Sequence, residues 1–247
     1  MTAGRAGRAA AIIPVRVGSQ RLPRKALLRD SGKPLFLHTC DQAKQARNVD
    51  LVCVASDDDE VLEQAQQAGL RAVRTSARPR TGSERCAEAL LQLDATVIVD
   101  LQGDWPEVQP RDLEALVDQL LAGEAVCNTL ALPLHDAAAL ADPNVVKVVR
   151  GPRGKALYFS RAAIPFVQTG SFPRLRHIGV YGFERATLQR LPDLPSSGLA
   201  EAESLEQLRF LENDIPVLVL DAHGDPWGIE TRSDYDAFLQ RYRSQRP

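Results

Sequence analysis

Between Pro14 and Lys25 the chain reads Pro14-Val15-Arg16-Val17-Gly18-Ser19-Gln20-Arg21-Leu22-Pro23-Arg24-Lys25, with four cations inside ten residues. That density suits a polyphosphate. Gly18 lets the backbone approach an oxygen closely, and successive N–H groups can form an anion nest. Arg16 and Arg21 offer forked donors, and Lys25 a point charge. The stretch is neither a Walker loop nor a dinucleotide fingerprint, because both glycine patterns are missing. On charge density alone, a solvated basic loop accounts for it equally well. A second acid–glycine pair, Gly103-Asp104, reads by itself as a turn. No Ser–His–Asp order suggests a side-chain nucleophile.

The elements around these residues decide where they stand. Apolar runs at 9–15, 51–55, 71–75 and 96–101 alternate with helical patterns at 34–47, 58–68, 83–93 and 110–121. Strand–helix alternation of this kind predicts an α/β fold, a mainly parallel sheet with helices on both faces. Ligands of such sheets gather at the carboxyl ends of the strands. The cationic loop and Asp104 follow two of those ends. From about Asp136 the pattern changes to short strands at 145–149, 154–159 and 177–183. These predict a small antiparallel insertion over about 136–185 with a dimerisation role, inside a single domain of 1–247. A helix at 201–212, a strand at 216–220 and a helix at 233–242 close the chain.

Composition excludes several classes. The 247 residues are 44% hydrophobic and 25% charged, with a net charge of −2, which speaks for a globular chain and against a phosphate-neutralising nucleic-acid binder. No apolar run is long enough for a membrane span, and Met1–Gly7 carries no apolar signal core. Cys40, Cys53, Cys86 and Cys127 show no C-x-x-C spacing, which predicts free thiols in a reducing cytoplasm. Arginine outnumbers lysine 25 to 5, as in a high-GC genome.

The loop as a whole resembles the signature of sugar-activating nucleotidyltransferases, most closely the CMP-Kdo synthetase (3-deoxy-manno-octulosonate cytidylyltransferase) family. Pro14, Arg16, Ser19, Arg21, Leu22, Pro23, Lys25, Leu27 and Gly32-Lys33-Pro34 fit that family's P-A-R-x-x-S-x-R-L-P-x-K-x-L and G-K-P, with Val15 in place of Ala. The likeness continues through Ala55-Ser56-Asp57-Asp58, Leu101-Gln102-Gly103-Asp104, Asp142 to Val149, Tyr158 to Arg161, His177 to Tyr181 and Leu205 to Glu212. Each is a weak signal singly. The same order and spacing make them strong.

The resemblance implies attack of an anionic acid on the α-phosphorus of CTP, with pyrophosphate leaving. It implies Arg16, Lys25 and Asp104 as catalytic residues. Pro14, Gly18, Ser19, Arg21, Ser56, Asp57, Thr75, Gly82, Ser83, Arg85 and Gln102 join Arg16 and Lys25 in the nucleotide site. Arg161, His177, Tyr181, Glu206 and Gln207 would meet the acceptor. Mg²⁺ would sit on Asp104 and Glu230, the latter standing where the family has Asp. Departures cluster around the expected metal and acceptor: Arg78-Pro79 replaces an Asp-His pair, Trp105 replaces Glu and Glu230 replaces Asp, while Arg80 adds a second cation beside the site. They point either to Kdo or an amino analogue in an altered pocket, or to a different acid such as a phosphonate in a specialised pathway. The resemblance, with the apolar insertion, implies a homodimer. A uridylyl-type pyrophosphorylase is the alternative, though its loop glycines are absent. A non-catalytic homologue is another, and Arg16, Lys25 and Asp104 speak against it.

Overall fold

A computed structural model of the chain describes residues 8–19, 21–195 and 197–244; Met1–Gly7, where no signal core is read, and Gln20 of the cationic loop lie outside the described residues. The first half builds β1 (Ala9–Pro14), α1 (Leu35–Gln45), β2 (Leu51–Ser56), α2 (Asp59–Gln67), β3 (Arg71–Arg74), α3 (Gly82–Leu90), β4 (Val97–Leu101) and α4 (Pro110–Leu121). The strands run parallel in the order β3-β2-β1-β4. Successive side chains of β1 go to opposite faces. Ala10 and Ile12 enter one core, while Ala9, Ala11 and Ile13 enter the other. This is why the run is apolar without alternation. Helix starts are fixed locally: Asp58 Oδ1 accepts from Val61 N at 3.0 Å, and Thr81 Oγ1 from Glu84 N at 3.2 Å.

The second half comprises β5 (Cys127–Pro133), α5 (Ala137–Ala141), β6 (Lys147–Arg150), β7 (Ala156–Ser160), β8 (Leu175–Glu184), α6 (Arg185–Arg190), α7 (Gly198–Glu203), α8 (Glu206–Glu212), β9 (Val217–Asp221) and α9 (Arg232–Ser244). Here the reading of 136–185 as one insertion needs correction. β8 runs antiparallel between β4 and β5 in the middle of the main sheet, and β9 pairs in parallel with β5. Only the β6–β7 hairpin stands off the sheet path, held to β8 through Lys147 and Val148. The expected helix over 201–212 is two helices, because Ser204 adopts a left-handed φ of 50° between α7 and α8. No described helix is long and apolar enough to cross a membrane, and all four cysteines are buried thiols.

Candidate active site

The loop after β1 and the turn after β4 meet at the carboxyl edge of the sheet. Gly103 allows this: a Cβ there would stand 3.1 Å from Val15 Cγ2 and 3.3 Å from Phe36 Cβ. Lys25 lies in a short 3-10 turn, and its Nζ donates to Asp104 Oδ2 at 2.5 Å and to the Ile229 carbonyl at 2.7 Å. Ile229 N donates to the Asp104 carbonyl at 2.9 Å. That bond draws the segment before α9 against β4 and sets Glu230 beside the loop. Arg21 Nη1 then pairs with Glu230 Oε2 at 2.5 Å. Residues 21, 25, 104 and 230 thus come from three distant segments and form two ion pairs, each a cation with a carboxylate.

Two cavities share this junction. One, of about 590 Å³, is lined by Pro14, Arg16, Gly18, Ser19 and Lys25 from the first loop. The other, of about 640 Å³, is lined by Trp105, Arg176, His177, Tyr181, Gln207 and Trp227, among others. Arg21, Gln102, Asp104 and Glu230 line both. Both volumes fall in the ordinary range of small-molecule sites. The first is polar and cationic. The second mixes aromatic rings with a few fixed polar groups.

In the second cavity the Trp105 ring lies against Gly179 and Gly228, where added Cβ atoms would stand 3.7 and 3.3 Å from it. It lines the wall and leaves the cavity open. Thr129 Oγ1 lies 2.8 Å from the Val180 carbonyl and 3.1 Å from that of Ile178, and 3.0 Å from His177 Nε2. The single hydroxyl proton belongs on a carbonyl, so Nε2 must carry the proton that faces Thr129. Burial, with Arg176 adjoining, keeps the ring neutral by pushing its pKa down to about 3. His177 is therefore a neutral hydrogen-bonding group.

Several residues expected at the site stand elsewhere. Ser56, Asp57, Thr75, Gly82, Ser83 and Arg85 line neither cavity and instead brace the walls. Ser56 Oγ donates to the Val15 carbonyl at 2.8 Å, and buried Arg85 ties Asp57 at 3.0 Å and also the Thr75 hydroxyl. A Cβ on Gly82 would collide with the Gln102 amide. Arg78 is exposed on a separate surface hollow with Pro79. Arg80 pairs with Glu84 at 3.2 Å, one turn along α3. Both arginine side chains are exposed, while the Arg80 carbonyl accepts from Arg16 Nη1 at 3.2 Å. Arg161 is spent on structure, donating to the carbonyls of Pro143 at 2.9 Å and Glu203 at 2.7 Å. Glu206 also lines neither cavity: its carboxyl oxygens stand 2.5 Å from the Thr81 hydroxyl and 3.0 Å from that of Ser83.

Two residues were not anticipated. Arg176, buried and lining the second cavity, stacks its guanidinium 4.0 Å from the Trp227 ring centroid and donates to the Pro226 carbonyl at 2.9 Å. Its only sequence signal is its place before His177. Asp100 is fully buried at the end of β4, with Gln102 Nε2 donating to its Oδ1 at 2.7 Å. An acid inside an otherwise apolar strand was the signal for it.

Comparison with known proteins places nearly the whole chain beside one group of enzymes. Residues 10–217 match the family described as cytidylyltransferase. The chain is 40% identical over 237 residues to a 3-deoxy-manno-octulosonate cytidylyltransferase of Chlorobium limicola, covering 94% of this chain and 96% of that one. It is 43% identical over 233 residues to the enzyme of that name from an Anaeromyxobacter species, covering 93% and 94%. Among solved structures, CMP:2-keto-3-deoxy-manno-octonic acid synthetase in complex with CTP superposes with a TM-score of 0.92 at 34% identity, covering 97% of this chain and all of that one.

Proposed function

The chain belongs to the CMP-Kdo synthetase family of cytidylyltransferases, and on that premise we propose that it transfers CMP from CTP to an anionic acid where its two cavities join. The observation that carries this reading is the set of residues common to both cavities: Arg21, Gln102, Asp104 and Glu230. A transfer needs donor and acceptor held on either side of the reacting phosphorus, and one junction between two cavities supplies that arrangement.

An acceptor oxygen attacks the α-phosphorus, the new O–P bond forms, and the bond to the bridging oxygen of pyrophosphate breaks. Little covalent chemistry falls to the protein; its work is positioning and charge compensation. Arg16 and Lys25 hold the β- and γ-phosphates in the first cavity. Arg21 and Gln102 face the transferred phosphate from the junction. Arg176 supplies the fixed cation of the second cavity, while His177, Tyr181 and Gln207 present neutral polar groups to the acid.

The two ion pairs leave the junction uncharged as it stands, so Arg21 and Lys25 alone cannot offset a triphosphate added there. Asp104 and Glu230 offer only carboxylate oxygens, without sulfur or imidazole, and no cluster of three or more such ligands occurs among the described residues. That donor set fits Mg²⁺, which usually takes one or two carboxylates together with phosphate oxygens. When bound, the ion would neutralise charge on the phosphates. Asp104 and Glu230 would hold it.

For the acid, the retained His177, Tyr181 and Gln207 favour a sugar acid of the Kdo type. A second reading, a changed acid such as a phosphonate, is favoured by Trp105 and by the Arg176–Trp227 stack on the same wall. We further propose a cytoplasmic homodimer, supported by the exposed apolar side chains Leu157 (63%), Phe166 (87%) and Phe172 (49%) on and after β7. Purified protein given CTP or UTP, Mg²⁺ and a panel of sugar acids and phosphonates tests the reading. Pyrophosphate release with CTP and one class of acid is expected. Turnover confined to UTP, or none with any pair, would overturn it.

A further inference from the structure

Three oxygens from three elements stand in a row behind the junction. Ser83 Oγ on α3 lies 2.8 Å from Asp100 Oδ2 on β4 and 3.0 Å from Glu206 Oε2 on α8. A serine hydroxyl has one proton. It can fill one of these gaps and not both. The outer oxygens are already engaged: Glu206 Oε1 takes the Thr81 hydroxyl at 2.5 Å, and Asp100 Oδ1 takes Gln102 Nε2 at 2.7 Å. With both carboxyls ionised, one gap would set two bare acceptors against each other. A second proton must therefore sit on one of the acids.

We propose that Asp100 and Glu206 share one proton across Ser83, and that the shared proton makes them positioning residues for Gln102, the side chain common to both cavities. The positioning half rests on the cytidylyl-transfer reading of those cavities; the shared proton does not.

The surroundings favour this. Among the described residues neither carboxyl forms an ion pair. The titratable groups facing them are Cys86 and Glu84 on α3, Cys127 on β5 and Tyr181 on β8, and Glu84 is itself paired with Arg80 and Arg209. Burial raises the Asp100 carboxyl to about 6, and burial with the neighbouring acids raises Glu206 to about 7. Gln102 lies over Gly82, where any Cβ would displace it, with its amide nitrogen anchored on Asp100. Loss of the shared proton puts two buried negative charges on one hydroxyl. The row opens, and Gln102 loses its fixed anchor.

Infrared spectroscopy of the whole protein tests the proton directly, through the deuterium-sensitive C=O stretch of a buried carboxylic acid. The wild type should keep such a band up to about pH 7. Asp100→Asn and Glu206→Gln should each move its loss down by about one pH unit or more, because each removes the partner that holds the proton. No such band in the wild type, or a shift in only one variant, would overturn sharing. The positioning half is read from the pH profile of CTP-dependent pyrophosphate release. Glu206→Gln donates permanently to Ser83 and should lose the alkaline decline of the wild type; Glu206→Ala should lower turnover about tenfold at every pH. A Glu206→Gln profile parallel to that of the wild type would overturn positioning. A persistent acid band in a protein that never turns over CTP would support sharing and overturn positioning with the reading of the cavities.

Discussion

The two cavities are built by opposite strategies. The phosphate side takes most of its lining from one exposed, cationic loop, in which Leu22 N donates to Ser19 Oγ at 3.3 Å and Lys25 lies in a 3-10 turn. The acceptor side is assembled from β4, β8, α8 and the segment before α9, with rings and a neutral buried histidine. A triphosphate demands the same charges wherever it binds, so its site can be local. An acid chosen among many needs shape, and shape comes from elements that only the finished fold brings together. The difference separates chemistry from choice: changes at the junction should cost rate, and changes on the acceptor wall should redirect it.

Asp104→Asn is the strongest way to break this contrast. It removes a charge from the region that lines both sides. Turnover should fall by at least about 10³-fold with unchanged circular dichroism. A near-normal rate would detach Asp104 from the reaction. Lys25→Met should cost less, about 10²-fold in kcat/KM, since Arg16 and Arg21 still face the phosphates. The loss should be equal for every acid in the panel. An acid-dependent loss would merge the two regions that the account keeps apart. Trp105→Glu should have the smallest effect on total rate and the clearest on choice. It should shift relative kcat/KM towards sugar acids by about tenfold, and an unchanged ranking would remove the ring from selection.

The same division explains what was legible in the sequence. The phosphate loop could be read because its residues are neighbours in the chain, as could the four strand–helix units whose periodicity is local. β5 was invisible: Cys127-Asn128-Thr129-Leu130-Ala131-Leu132-Pro133 mixes polar residues into a buried strand, where Asn128 Nδ2 donates to the Leu116 carbonyl on α4 and the Thr129 hydroxyl to the Val180 carbonyl on β8. β8 was visible as a strand but not as a central one, because pairing between β4 and β5 is a property of the sheet. Arg78 and Arg80 looked like acceptor cations and their side chains are surface groups, since nothing in a list of residues tells which way the loop before α3 turns them. Asp100 and Arg176 were missed because their roles depend on partners that only the fold brings to them, Ser83 on α3 and Trp227 before α9.

The pH behaviour of stability sharpens the contrast further. An acid whose pKa is higher folded than unfolded holds its proton in the native state after the unfolded chain has lost it. Stability then falls as pH rises from the ordinary carboxyl range to the folded value. For Glu206 that window runs from 4.5 to about 7. The thermal midpoint should decline across it, by roughly 2–4 °C for each kcal/mol lost. Glu206→Gln should flatten the decline in a calorimetric scan, and an equal slope in both proteins would show that the carboxyl does not report this linkage.

The central claim is that one junction serves both cavities, and a crystal structure with CTP and Mg²⁺ tests it most directly. The triphosphate should lie along Arg16, Gly18, Ser19 and Lys25, with its α-phosphate between Asp104 and Glu230 and the Trp105–Arg176 cavity open beyond it. A nucleotide whose α-phosphate lies away from Asp104 and Glu230, or whose path closes the second cavity, would contradict it.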